Sequence, residues 1–212
     1  FGQVAESFLN KLLQEKVLFD VSITSRKETH MISFNDLNIN SFMFNDNQKD
    51  NGINKIIEEA NYILVSIPPI DGEDIVIKNF SLILKNIKNC KWITYLSATS
   101  VYGDHKGNWV TETSPTRPTS FNGSSRLNAE RQWLNFAHDY NLPVQIFRLA
   151  GIYSNEFNIL KRLKDRSVQV VDKENHFFSR IHIEDIANIL FKSLNHFKEK
   201  EIYNISDDRP AS

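Results

Sequence analysis

The sequence predicts an α/β protein built on a doubly wound parallel sheet, and three observations carry that expectation. Short apolar runs rich in β-branched and aromatic residues recur at Tyr62–Ile67, Trp92–Leu96 and Val144–Leu149. Each run is predominantly apolar without a strict polar–apolar alternation, the pattern of a strand covered on both faces. Helix-period stretches separate the runs, and right-handed crossovers then place helices on both sides of one sheet.

In chain order, Val4, Phe8, Leu9, Leu12 and Leu13 form one helical stripe and predict a first helix. Val17–Thr24 (VLFDVSIT) follows and reads as a strand. Tyr62–Ile67 is the next strand, stopped by Pro68 and Pro69, which lack the N–H a ladder needs. From Asp74 to Lys88, the apolar positions Ile75, Phe80, Leu82, Ile83, Leu84 and Ile87 read as a packed helix before strand Trp92–Leu96. Gly103–Asn122, with Pro115 and Pro118, is turn-rich. A helix is expected from Ser124 to Tyr140, carrying Leu127, Glu130, Trp133, Leu134 and Ala137, and strand Val144–Leu149 follows it. Ile186, Ile189, Leu190, Leu194 and Phe197 mark a late helix, and Glu201–Ile205 a final strand. Phe157–Phe178 interrupts the alternation with a helix and a short strand, Ser167–Val171, read as part of a small substrate-side lobe.

Composition bounds what the chain can do. Its 212 residues, 41% hydrophobic and 24% charged, suffice for a folded core rather than a disordered segment. A net charge of −1 gives no electrostatic footprint for nucleic acid or an anionic membrane. No apolar run approaches the roughly 20 residues of a membrane-spanning helix. Cys90 is the single cysteine, so no intrachain disulfide forms, and a cytoplasmic protein is expected. The six histidines have no cysteine partners or ligand spacing, so no metal site is expected.

Phe1-Gly2-Gln3-Val4-Ala5 opens the first helix with no strand before it. Dinucleotide-binding folds run a strand into G-x-G-x-x-G or G-x-G-x-x-A and begin the helix inside the motif. Gly2 fits the second glycine and Ala5 the small third residue. The first glycine and first strand are expected upstream of Phe1, which is no initiator methionine. Gly2, Gln3, Val4 and Ala5 are therefore candidate diphosphate ligands, because a glycine admits close approach and the free N–H groups of a helix start bind anions. The alternative is a plain turn before a helix. The next strand ends Ile23-Thr24-Ser25-Arg26, with no carboxylate before Glu28. An acid there would take the ribose hydroxyls of NAD, whereas an arginine accommodates the 2′-phosphate of NADP. Ser25 and Arg26 are thus candidates for that phosphate, and NADP is expected ahead of NAD; a solvated surface arginine is the competing reading. Ser66, Ile67 and Pro68 form either an apolar wall beside the cofactor or a simple strand stop.

Four segments carry a family resemblance. Leu96–Asp104 (LSATSVYGD) resembles the "SSxxVYGD" end of the catalytic strand in extended short-chain dehydrogenases, the NAD-dependent epimerase/dehydratase family. Ser124–Glu130 (SSRLNAE) is similar to its "SKxxxE" helix, Phe147–Tyr153 (FRLAGIY) to its "RLxxvYG" strand exit, and Ser179–Ala187 (SRIHIEDIA) to its "fihVdDiA" helix entry. Trp109 and Arg126–Glu130 also resemble the atypical, nucleoside-diphosphate-sugar epimerase-like branch. The resemblance implies a Rossmann-type core over residues 1–150 with its first strand missing, and the end of the core plus a small lobe over 151–212. Ser97, Arg126 and Ala150 join the cofactor-binding candidates.

The resemblance also exposes a departure. The family works with a Tyr and a Lys four residues apart on one helix and a Ser or Thr at the strand end. Here those slots fall on Asn122, Arg126 and Ala98. Asn122 cannot titrate and Ala98 has no polar atom, while Arg126 keeps charge and donors for a ribose. Tyr102, Thr99 and Arg126 are the substitute catalytic candidates, with Tyr153 and His182 behind them. Against these roles stand packing beneath the site for Tyr102, pocket lining for Tyr153 and helix capping for His182. Two functions remain open: an oxidoreductase or epimerase-type enzyme on a nucleotide sugar or small carbonyl/hydroxyl substrate, and a cofactor-binding sensor or scaffold without turnover. A small-molecule substrate is the expected partner, with the oligomeric state open and a homodimer one option.

Overall fold

The computed structural model describes residues 1–17, 19–27, 31–35, 37–165 and 177–210. Helix α1 (Gln3–Gln14) leads to strand β1 (Ser22–Ser25), a hairpin of β2 (Met31–Phe34) and β3 (Leu37–Met43), helix α2 (Gly52–Glu59) and strand β4 (Tyr62–Val65). Helix α3 (Ile75–Leu84), strand β5 (Trp92–Ala98), helix α4 (Phe121–Tyr140) and strand β6 (Val144–Leu149) follow. The chain continues through β7 (Gly151–Tyr153), α5 (Ile159–Lys164), β8 (Arg180–His182), α6 (Ile183–Ser193) and β9 (Ile202–Ile205).

Strands β4, β5, β6 and β9 form a wholly parallel sheet in that order. Side chains alternate across it with period two. Ile93, Tyr95, Val144 and Ile146 face α3 and α4, where Phe80, Leu84, Ala129 and Trp133 complete one core. Trp92, Leu96, Phe147 and Leu149 face the other way and pack with Phe8 and Leu12 of α1 and Ile186 and Leu190 of α6. The sheet is therefore covered on both faces, as the predominantly apolar runs require.

The flank differs from the sequence reading. β1 pairs parallel with β3, and β2 pairs antiparallel with β3, in a separate three-stranded sheet. The hairpin and α2 were not expected from the sequence: β3 reads LNINSFM, with only Ile39 and Ser41 buried. The first strand is also shorter than Val17–Thr24, because the Val17 N–H bonds the Leu12 carbonyl and belongs to the exit of α1. Edge strands β1 and β4 approach where Phe19 packs edge-on against Tyr62 at 5.3 Å. β7 and β8 pair as a parallel two-stranded ribbon, with β8 leading into α6. The expected strand Ser167–Val171 lies outside the described residues.

Capping fixes where the helices begin. Asp74 accepts the Val76 and Ile77 N–H groups at 3.0 and 2.9 Å and starts α3. Ser120 accepts from Gly123 and starts α4 earlier than expected. Gly123 lets that helix press on the exit of β5, since a Cβ there would lie 2.6 Å from the Ser100 carbonyl oxygen. This contact carries Arg126 toward the carboxyl end of the sheet.

Candidate functional site

A cavity of about 290 Å³ opens at the carboxyl ends of β4, β5 and β6, facing the start of α1. Parallel sheets place ligands there because the strand ends and helix N-termini converge on it. Gly2, Gln3, Val4 and Ala5 form one wall, Ser66 and Ser97 mark the strand tips, and Arg126 and Ala150 close the far side. These eight residues of the sequence-derived cofactor set are thus brought together. Ser25, Arg26, Ile67 and Pro68 do not line the cavity.

The α1 wall suits an anion. Gly2 is the N-cap, no side chain caps the helix, and a Cβ at Gly2 would meet no atom within 4 Å. The protein's own packing therefore does not demand glycine; the space in front of it is open. Uncapped first-turn N–H groups carry the positive end of the helix dipole. A diphosphate fits this cradle in charge and space. Ser25 ends β1 and Arg26 follows it, near the cradle: the Phe1 nitrogen donates to the Thr24 carbonyl at 2.6 Å. Arg26 is exposed and makes no ion pair with another described residue.

On the opposite wall, half-buried Arg126 donates from Nη1 to the Leu96 carbonyl oxygen at 2.5 Å. Ala98 also lines the cavity, whereas Asn122 is exposed and lies off it. Among the described residues, the only ionisable side chain lining the cavity is therefore Arg126, whose guanidinium cannot serve as an acid or base near neutrality. Thr99 lies off the cavity in the turn after β5, where its carbonyl accepts the Tyr102 N–H.

Tyr102 occupies a buried network. Its hydroxyl accepts from Arg148 Nη1 at 2.8 Å and donates to Asn204 Oδ1 at 2.7 Å, with only 2% of the residue exposed. Arg148 forks onto Glu130 through Nε and Nη2, at 3.0 and 2.7 Å, and Ser97 donates to the same carboxylate at 2.5 Å. Both its oxygens are thus occupied, in a bidentate geometry. Tyr153 donates to Asp207 at 3.0 Å, and that bond pushes its phenol up. His182 caps α6, accepting from the Glu184 N–H at 3.4 Å.

The sequence reading missed part of the wall. Leu96, Leu149 and Ile152 also line the cavity, and the only available signal was their place at strand exits. Glu130 and Arg148 each lie in a recognised motif, but their pairing is tertiary. Among the described residues no cluster of His, Cys, Asp or Glu could hold a metal ion. No helix among them is long and apolar enough to cross a membrane.

The family model described as the NAD dependent epimerase/dehydratase family matches residues 76–206, well over half of the chain. The chain belongs to this family. Its fold is similar to that of a functionally unknown conserved protein from Silicibacter pomeroyi, with 31% identity and a TM-score of 0.84 over 99% of this chain and 71% of that one. More distant likenesses concern the fold alone. UDP-glucuronic acid 4-epimerase from Bacillus cereus in complex with NAD matches at 14% identity and a TM-score of 0.73, over 100% of this chain and 76% of that one. dTDP-glucose 4,6-dehydratase from Bacillus anthracis in complex with NAD matches at 17% and 0.72, over 99% and 74%. No curated protein matches the chain.

Proposed function

We propose that the cavity binds a nicotinamide dinucleotide, NADP ahead of NAD, and that the protein is an oxidoreductase or epimerase-type enzyme with non-standard acid/base residues. The substrate class is a nucleotide sugar or a small carbonyl or hydroxyl compound. The observation that carries the reading is the convergence of the uncapped start of α1, the tips of β4 and β5, and Arg126 on one cavity. Gly2 to Ala5 would hold the diphosphate, Arg126 the ribose hydroxyls, and Ser25 with Arg26 the 2′-phosphate. Bound there, the cofactor supplies hydride transfer. The preference for NADP rests on Arg26, exposed just after β1, two residues beyond Thr24, whose carbonyl accepts from the Phe1 nitrogen ahead of α1 at 2.6 Å.

A second reading, a cofactor-binding sensor or scaffold without turnover, is favoured by one specific observation. The hydroxyl of Tyr102 is committed to Arg148 and Asn204, and among the described residues Arg126 is the sole ionisable side chain lining the cavity. Nicotinamide fluorescence during titration with NADPH and NADH, followed by a panel of nucleotide sugars, separates the readings. Saturable NADPH binding with conversion of one sugar supports the enzyme; binding with no conversion across the panel supports the sensor; no binding of either cofactor contradicts both.

A further inference from the structure

Among the described residues, the Tyr95 hydroxyl is the one buried side-chain polar group without a hydrogen-bond partner. Tyr95 is completely buried in β5, its ring stacked on Trp133 at a centroid distance of 6.1 Å. An unpartnered phenol forfeits the hydrogen bonds it made in water, and phenylalanine would fill the same space without that loss. Three charged side chains act on it: Arg126, Asp74 and Glu130. Burial pushes the phenol up, and Arg126 opposes that push by its charge and by a weak side-chain contact that falls short of a full hydrogen bond.

Neither acid is free to hold the arginine. Asp74 spends Oδ1 on the Val76 and Ile77 N–H groups and Oδ2 on Trp133 Nε1 at 3.0 Å. Glu130 is filled by Arg148 and Ser97. Arg126 has five N–H donors, of which one is directed at the Leu96 carbonyl. The Tyr95 oxygen, which no full hydrogen bond fills, is the acceptor within reach of the guanidinium.

We propose that Tyr95 is a positioning residue for Arg126. Its phenol oxygen is a second seat for the guanidinium, already in weak contact and drawn into a full hydrogen bond when a ligand fills the cavity, so that the arginine spans the Tyr95 oxygen and a ligand hydroxyl or phosphate oxygen. Tyr95 never touches the ligand; it fixes the direction in which the cation points. The inference rests on the reading of the cavity as a nicotinamide dinucleotide site.

The test is a double-mutant cycle of Tyr95→Phe and Arg126→Lys in the whole chain. It reads melting temperature, NADPH affinity and the ζ-carbon resonance of Tyr95 in protein labelled with ¹³C-tyrosine. Tyr95→Phe is expected to leave the melting temperature unchanged or raise it by about 2–4 °C, yet to weaken NADPH binding about fivefold. The double variant should bind no worse than Arg126→Lys alone, and Arg126→Lys should shift the Tyr95 resonance in ligand-free protein. Unchanged affinity in Tyr95→Phe, additive losses in the double variant, or an unmoved resonance overturns the proposal. Should wild-type protein bind no NADPH, the cofactor reading fails on its own, and the resonance alone decides whether Tyr95 supports Arg126.

Discussion

The two faces of β5 near its carboxyl end are built in opposite ways. On the α1 face, the helix begins with an uncapped glycine, and its first N–H groups meet open space. On the α4 face, Ser97, Glu130, Arg148, Tyr102 and Asn204 are joined in one buried chain of hydrogen bonds. Backbone N–H groups are presented on the first face; side chains hold the framework on the second. On the proposed function, the difference explains how a cofactor cradle persists while the expected proton-transfer slots fall on Asn122 and Ala98. The cradle needs only a glycine and a helix start, whereas acid/base chemistry needs particular side chains, and the tyrosine and arginine of the network are already engaged in holding strands together.

The largest expected effect lies on the sealed face. Glu130→Ala leaves Arg148 buried at 3% exposure with no carboxylate, a loss of about 3–5 kcal/mol, and should lower the melting temperature by roughly 10 °C. A drop of only a degree or two in thermal denaturation would mean that the network is not what holds β5, β6 and α4 together. An intermediate effect belongs to the open face. Arg26→Ala should weaken NADPH about tenfold while leaving NADH unchanged, as read by fluorescence titration; equal losses for both would remove Arg26 from the 2′-phosphate site. The smallest effect is a signature of how well the second face is sealed. Burial raises the Tyr95 phenol above its ordinary value, so its contribution to stability is complete below the unfolded tyrosine value near pH 10 and is lost as pH rises toward the folded value. Absorbance at 295 nm should therefore show one of the six tyrosines ionising only as the protein unfolds, and that tyrosine should vanish in Tyr95→Phe.

The same contrast explains what could be read in the sequence. β4, β5, β6 and β9 were legible because strands covered on both sides are predominantly apolar. β3 was not, because Asn38, Asn40 and Ser41 punctuate a strand at the flank, where burial no longer selects for apolar side chains. Gly2 to Ala5 could be placed on the cavity wall from sequence because the motif is local, four consecutive residues whose spacing is its own signal. Tyr95, Asp74 and the Glu130–Arg148 pair were not, because each acts through a partner on another element. Asp74 alone left a local trace, an acidic residue immediately before a helical apolar stripe.

The most direct test of the account puts a carboxylate into the cradle. Gly2 has extended backbone at φ −121° and open space where a side chain would go, so Gly2→Asp introduces a favourable N-cap and a negative charge where a diphosphate would sit. Calorimetric titration with NADPH should show saturable binding to wild type and none to Gly2→Asp, whose melting temperature is unchanged or higher. Equal affinity in both proteins, or no saturable binding to wild type, would contradict the claim that the start of α1 is a diphosphate site.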